Sequence, residues 1–69
     1  MNWEKLKVFK KVAKAGSFLT ASKQHNKSQS TFSRAVMDLE KEINQKLFNR
    51  TSKGVMPTLH GSILLNLVD

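Results

Sequence analysis

Residues 28–43 read SQSTFSRAVMDLEKEI, and the apolar residues in this stretch recur with the period of an α-helix. On a helical wheel, positions 36, 39 and 43 all lie within about 40° of Phe32. Ser28 is a typical N-cap, and Asn44 is an acceptable left-handed terminator. We therefore predict a helix from Gln29 to about Asn44, with one face in a hydrophobic core.

The opposite face of this helix is polar, and its hydrogen-bonding groups are concentrated near the N-terminus. A helix that enters the major groove of DNA needs such a face beside the one that anchors it. Arginine can form bidentate hydrogen bonds to guanine and glutamine can form them to adenine, while hydroxyls can hydrogen-bond to several bases. The candidate DNA-contacting residues on this helix are Gln29, Ser30, Thr31, Ser33 and Arg34.

Two helices are predicted before this one. Apolar residues at helical spacing indicate a first helix over 3–15, which Asn2 caps and Gly16 ends. Ser17 can cap a second helix, from Phe18 to about residue 24 or 25. Because helix N-termini bind anions, Ser17 is also a candidate for phosphate contact. The apolar face of the first helix contains Trp3, Leu6, Phe9, Val12 and Ala13.

A small β-hairpin is predicted after the third helix. Residues 46–50 and 55–57 are strand-like, and Gly54 between them can adopt the positive φ that a hairpin turn needs. Pro57 cannot donate to a central ladder, so the hairpin must lie at an edge.

The hairpin carries two basic side chains that we expect to meet DNA. Lys53 lies near its tip, within reach of phosphates or the minor groove. Arg50 has two interpretations, which the sequence leaves open: it is either a phosphate ligand or a structural partner of Glu40.

A last helix is predicted to begin after Thr58. We expect its apolar side to form a subunit interface, because the helix lies beyond the hairpin at the end of the chain. Residues 1–57 then form the DNA-binding domain, and residues 58–69 form the start of a truncated linker or dimerisation helix. The predicted interface residues are Leu59, Ile63, Leu64 and Leu67.

The net charge of +7 is distributed unevenly. Residues 1–27 carry seven lysines against one glutamate, which gives +6. Residues 28–44 carry two basic and three acidic residues, which gives −1. A strongly basic small domain indicates a polyanionic partner, most often nucleic acid. The predicted recognition helix is not itself basic, so the total charge does not locate the DNA surface.

Other function classes are disfavoured by what the sequence lacks. Its 69 residues allow one small domain, and 39% apolar residues argue against disorder. There is no cysteine, and His25 and His60 have no partners at metal-ligand spacing. We therefore expect no enzymatic activity, no cofactor and no metal site. No apolar run is long enough to cross a bilayer, and no secretory signal opens the chain, so we expect a cytoplasmic protein.

In this order and spacing, the elements resemble the N-terminal domain of LysR-type transcriptional regulators. The register is ungapped from residue 1 to about 65 and covers nearly the whole chain. The resemblance is carried by Gly16-Ser17-Phe18, Ala21, Ser28-Gln29, Phe32-Ser33-Arg34, Leu39-Glu40, Leu47-Phe48-Asn49-Arg50-Thr51, Gly54-Val55, Thr58 and Gly61.

This resemblance implies a mainly α winged helix-turn-helix, with a three-helix core, a hairpin wing and the start of a linker helix. It places the helix-turn-helix at 18–37, the recognition helix at 28–37 and the wing at 46–57. It implies a bacterial regulator that binds double-stranded DNA in a sequence-specific manner, as a homodimer through the linker helix. Family members continue into an effector-binding domain, which is absent from this chain.

Several residues depart from the family pattern: Ser22, His25, Lys27, Ser30 and Asn44. We expect Lys27 to lie beneath the turn, where its stem must carry the ammonium out to water, because burying an unpaired charge is costly. We therefore expect the second helix to pack weakly.

Two other functions remain open at this point. The same fold can serve as a protein-interaction or dimerisation module, with the last helix as its functional face. The lysines of the first helix can also support non-specific binding of RNA or of nucleoid DNA.

Overall fold

The computed structural model describes residues 2–68 and is mainly α, as predicted. A small antiparallel hairpin follows three helices, and a further helix follows the hairpin. The elements are α1 (Trp3–Ala15), α2 (Phe18–Gln24), α3 (Gln29–Ile43), β1 (Phe48–Thr51), β2 (Gly54–Pro57) and α4 (Leu59–Val68).

The first three helices begin at the predicted side-chain caps. In each case a side-chain oxygen accepts a hydrogen bond from a backbone N–H that has no partner inside the helix. The caps Asn2, Ser17 and Ser28 accept from the N–H groups of Glu4, Thr20 and Thr31 at 2.8, 3.0 and 3.1 Å. The start of each helix is therefore decided by residues adjacent in sequence.

The turn between α2 and α3 is closed by a left-handed asparagine. Asn26 has a φ of 56°, and the N–H of Lys27 donates to the carbonyl of Ser22 at 2.9 Å. This pair of features forms a Schellman motif, which ends a helix while satisfying its last carbonyls. Asn44 ends α3 in the same way, with a φ of 55°.

One apolar core joins the helices and the hairpin. Trp3, placed with the core by helical spacing, is instead exposed at the first position of α1. The residue lies at the end of the helix, where its neighbours cover only part of a large side chain. The core consists of Leu6, Phe9, Val12, Phe18, Ala21, Phe32, Val36, Leu39, Leu47, Phe48, Val55 and Leu64.

Lys27 differs from its expected place beneath the turn. Both Lys27 and His25 are exposed, so neither carries the desolvation cost expected of a buried group. Ser22 is buried, and its hydroxyl donates to the Leu19 carbonyl at 2.8 Å, so the polar group inside α2 has a partner. Weak packing of α2 stays a prediction.

The first strand begins at Phe48, two residues later than predicted. Leu47 is buried, and its backbone groups bond outside the hairpin ladder. Its N–H donates to the Glu40 carboxylate at 2.7 Å, and its carbonyl accepts from the N–H of Thr58 at 2.9 Å. Leu47 therefore joins α3, the hairpin and α4.

Gly54 serves a packing role that its position in a turn did not reveal. It has a φ of 140°, and a Cβ at this position would overlap the carbonyl oxygen of Gly16. The neighbouring Val55 N–H donates to that same oxygen at 2.9 Å. The absence of a side chain thus lets the hairpin dock on the turn between α1 and α2.

The last helix docks on the same core. Thr58 accepts from the Gly61 N–H at 3.1 Å, and a Cβ on Gly61 would overlap the Leu47 carbonyl. Leu64, one turn after Gly61, is only 8% exposed and lies in the core. Leu64 therefore packs in the core of this domain, because the side of α4 that approaches Leu47 also buries Leu64, and the subunit interface on α4 stays a prediction.

No helix within residues 2–68 has both the length and the apolar character that crossing a membrane requires.

Candidate nucleic-acid interface

The outer face of α3 presents the predicted polar residues to solvent. Gln29, Ser30, Thr31 and Arg34 are exposed, while Ser33 is half-buried. Because the apolar side of α3 is held in the core by Phe32, Val36 and Leu39, this polar face is fixed in direction. The result is a rigid helix with hydrogen-bonding groups on its first two turns.

Three hydroxyls gather at the N-terminus of α3. The Oγ of Ser28 lies 2.6 Å from Oγ1 of Thr31 and 3.3 Å from Oγ of Ser30. Ser28 also caps the helix, so part of the hydrogen-bonding capacity of this cluster is used within the protein. Among the residues predicted to contact DNA, Thr31 has the hydroxyl that lies closest to the capping Ser28.

A shallow concavity of about 340 Å³ runs along the outer face of α3, and we call it the helix concavity. It brings together three predicted residues with three that the sequence interpretation did not select. The signal for the additional residues is helical spacing, since Met37 and Asp38 follow Arg34 by three and four residues and Lys41 follows Asp38 by three. The lining residues are Ser30, Ser33, Arg34, Met37, Asp38 and Lys41.

Arg50 connects the hairpin to α3. Its guanidinium carbon lies 4.6 Å from the centroid of the Phe18 ring, and its NH2 group donates to Ser33 Oγ at 3.1 Å. Glu40, the alternative partner, directs its carboxylate to the backbone N–H of Leu47. The structure therefore holds Arg50 by a cation–π contact and a hydrogen bond, and Arg50 remains exposed.

A second concavity of about 340 Å³, which we call the wing concavity, lies between the hairpin and the start of α2. It brings together four of the predicted residues: Ser17, Gln29, Arg50 and Lys53. Ser17 contributes while it caps α2, and its Oγ donates to Thr20 Oγ1 at 2.9 Å. Arg50 lines the wing concavity and Ser33 lines the helix concavity, so the hydrogen bond between them links the two surfaces.

The acidic part of α3 is matched by a lysine from α1. Lys5 Nζ lies 3.7 Å from Asp38 Oδ2 and 3.5 Å from Glu42 Oε1. Lys7, by contrast, pairs within α1 with Glu4 at 3.6 Å. Part of the positive charge on α1 is therefore paired with carboxylates of α3. In residues 2–68, no cluster of three His, Asp or Glu side chains could hold a metal ion.

Comparison with known proteins identifies the family. The model of the bacterial regulatory helix-turn-helix protein, lysR family, matches residues 3–62. The chain belongs to the LysR family. This confirms the resemblance found in the sequence, and the four helices with their hairpin are the winged helix-turn-helix of that family.

Individual relatives show how far the similarity extends. The chain is 41% identical over 66 residues to the HTH-type transcriptional regulator TfdT of Cupriavidus pinatubonensis, covering 96% of this chain and 29% of that protein. It is 42% identical over 64 residues to the nitrogen assimilation regulatory protein nac of Escherichia coli, covering 93% and 21%. The chain thus spans about a fifth to three tenths of the length of these LysR-family relatives.

A solved structure has the same fold over nearly the whole chain. The crystal structure described as a CbnR_DBD–DNA complex superposes with a TM-score of 0.90 at 32% identity, covering 96% of this chain and 76% of that one.

The outer side of α4 differs from that of the other helices in this LysR-family domain. Three predicted interface residues lie on it at spacings of four: Leu59, Ile63 and Leu67, which are 75%, 50% and 77% exposed. Their helical spacing places them on one side of α4, away from the buried Gly61 and Leu64. They form an apolar stripe, which we call the α4 stripe.

Proposed function

We propose that this LysR-family chain binds double-stranded DNA in a sequence-specific manner, as the non-enzymatic DNA-binding domain of a cytoplasmic bacterial transcription regulator. The observation that carries this proposal is the continuity of the polar face of α3 with the wing. Arg50 joins the two through Phe18 and Ser33.

The geometry suits entry of α3 into the major groove. That groove is about 12 Å wide and admits one helix, whose N-terminal residues meet the base edges. Arg34 and Gln29 supply forked or paired hydrogen bonds to purines, and Ser30 and Ser33 supply hydroxyls. The apolar side of α3 stays in the core, so binding requires little rearrangement of the helix.

The wing and the start of α2 supply contacts to the backbone. Lys53 lies in the two-residue loop between the strands, beside Ser17 and Arg50 in the wing concavity. Contacts of this kind give affinity that falls with added salt, while the base contacts give the choice of sequence. The similar CbnR domain, crystallised with DNA, supports the same partner for this chain.

We further propose that the chain acts as a homodimer through the α4 stripe. An exposed apolar stripe on a helix packed only on its other side is well suited to a second copy of the same helix. A twofold-symmetric pair would then present two recognition helices to a site with dyad symmetry.

The test begins with selection of a preferred duplex from a random DNA pool, followed by affinity measurements on that duplex and on a scrambled one. We expect Arg34→Ala to cost about 1–3 kcal/mol on the selected duplex and to relax its base preference. The matched control is Lys14→Ala, which removes one positive charge from the exposed side of α1. The control should lower both affinities slightly and leave the preference intact.

Two results would overturn the proposal. If Lys14→Ala weakens binding more than Arg34→Ala, the DNA surface lies on α1 and the domain is a non-specific nucleic-acid binder. If no duplex is enriched and the chain still self-associates through α4, the domain is a protein-interaction module.

A further inference from the structure

Asp38 occupies an unusual place for an acidic residue in a DNA-binding surface. It lines the helix concavity together with Arg34 and Ser30, and 43% of its side chain is exposed. A carboxylate at this position can face phosphates when a duplex approaches α3 without a fixed register. It therefore opposes the attraction that supplies non-specific affinity.

The negative charge of Asp38 is partly neutralised by Lys5, which reaches it from α1. The Lys5 ammonium lies 3.7 Å from Asp38 and 3.5 Å from Glu42, so one lysine is shared between two carboxylates. Lys5 itself is half-buried between α1 and α3, and it does not line the helix concavity. Partial neutralisation leaves Asp38 with a net repulsive effect on DNA that is weaker than that of a free carboxylate.

We propose that Asp38 is a specificity-determining residue that weakens binding to unselected DNA, and that Lys5 is a positioning residue that sets the strength of this repulsion. The inference rests on the proposed DNA-binding function. Specificity is a difference between two affinities, and a repulsive group that penalises the wrong partner raises it as effectively as a new attraction.

A selected duplex suffers less from Asp38 than an unselected one for a geometric reason. When Arg34 and its neighbours bond to their preferred bases, α3 is held in one register, in which the Asp38 carboxylate can face base amino groups such as cytosine N4. In non-specific complexes the helix has no fixed register, and the carboxylate meets phosphates instead.

The test compares Asp38→Asn with Glu4→Gln. Both changes turn a lysine-paired carboxylate into an amide of similar shape, but Glu4 lies on α1 with its partner Lys7. On a random-sequence duplex at low salt, we expect Asp38→Asn to raise affinity about threefold and to lower the ratio of selected to random binding by a similar factor. Glu4→Gln should leave that ratio unchanged.

The role of Lys5 is tested by Lys5→Gln against Lys7→Gln, which remove the same charge. Lys5→Gln should weaken binding to the random duplex about twofold more than Lys7→Gln, because it unmasks two carboxylates on α3. When Asp38 and Glu42 are both amides, the two lysine substitutions should become equal. If Lys5 acted only through fold stability, Lys5→Gln and Lys7→Gln would bind the random duplex equally at temperatures where both variants are folded.

The outcomes separate the two proposals. If Asp38→Asn and Glu4→Gln behave alike, the inference about Asp38 is wrong, even when Arg34→Ala still relaxes the base preference. If Arg34→Ala leaves the preference unchanged as well, the proposed function fails. Thermal melting of each variant verifies folding, and Asp38→Ser replaces Asp38→Asn if the latter unfolds.

Discussion

The helices α3 and α4 are anchored in the same core but present opposite chemistry to solvent. In α3 the exposed side carries hydroxyl, amide and guanidinium groups, whereas in α4 it carries Leu59, Ile63 and Leu67. Both helices also contact Leu47 or its neighbours at the start of the hairpin. The comparison teaches that the core decides where a helix lies, and the outer face decides what it can bind.

The depth of anchoring also differs between the two helices. Leu39 of α3 is completely buried near the middle of the core, while Leu64 is 8% exposed. A recognition helix must hold its direction against the forces of binding, whereas a dimerisation helix gains further packing from its partner. The difference in depth therefore suits the difference in proposed role.

The largest expected effect is the loss of stability in Leu39→Ala. Removing a fully buried leucine leaves a cavity and costs about 2–5 kcal/mol, and Leu64→Ala, on the shallower helix, should fall at the lower end of that range. Urea denaturation followed by circular dichroism at low protein concentration measures both. Equal losses would show that α4 is anchored as deeply as α3.

Loss of the N-cap should destabilise the protein more at α4 than at α3, which is the reverse of the order expected for the two leucines. Ser28→Ala should cost about 1 kcal/mol, the usual value for a lost cap. Thr58→Ala should cost about 2 kcal/mol, because the Thr58 hydroxyl also donates to the Lys46 carbonyl and so ties α4 to the hairpin. Ser62→Ala, at an exposed position in α4, is the control and should change the unfolding free energy by less than about 0.5 kcal/mol. A larger loss from Ser28→Ala than from Thr58→Ala would contradict this account of α4.

At the α4 stripe, the expected effect is on self-association and not on the stability of the monomer. Leu67→Glu should weaken self-association about tenfold, since it places a charge in an apolar contact, and it should leave the stability of the monomer unchanged. Met56→Glu is the matched control, because Met56 is an exposed apolar residue on the hairpin. Sedimentation equilibrium at several concentrations compares the two variants. Equal effects would remove the α4 stripe as the interface and leave α3 as the functional surface.

Much of the α3 surface could be predicted from local sequence. The N-cap Ser28, the terminator Asn44 and the exposure of Gln29, Ser30 and Arg34 all follow from helical periodicity and capping. These features depend on residues no more than about one turn apart, so the chain carries them wherever the helix lies.

Contacts between elements could not be obtained in this way. The sequence left Arg50 as either a phosphate ligand or a partner of Glu40, and only the packing of the hairpin places it over Phe18 and against Ser33. The pairing of Lys5 with Asp38 likewise requires that α1 and α3 pack side by side. Spacing along the chain contains no information about which of several polar groups will be adjacent after folding.

The sequence by itself determined the order of the helices, their caps, the wing and the LysR register, because these are properties of short segments and of their succession. The tertiary structure decided which apolar residues are interior and which form a surface. Leu64 and Ile63 are adjacent in sequence, yet one is buried and the other is half exposed. The physical reason is that Gly61 brings α4 against the Leu47 carbonyl, and this close approach selects the side of the helix that enters the core.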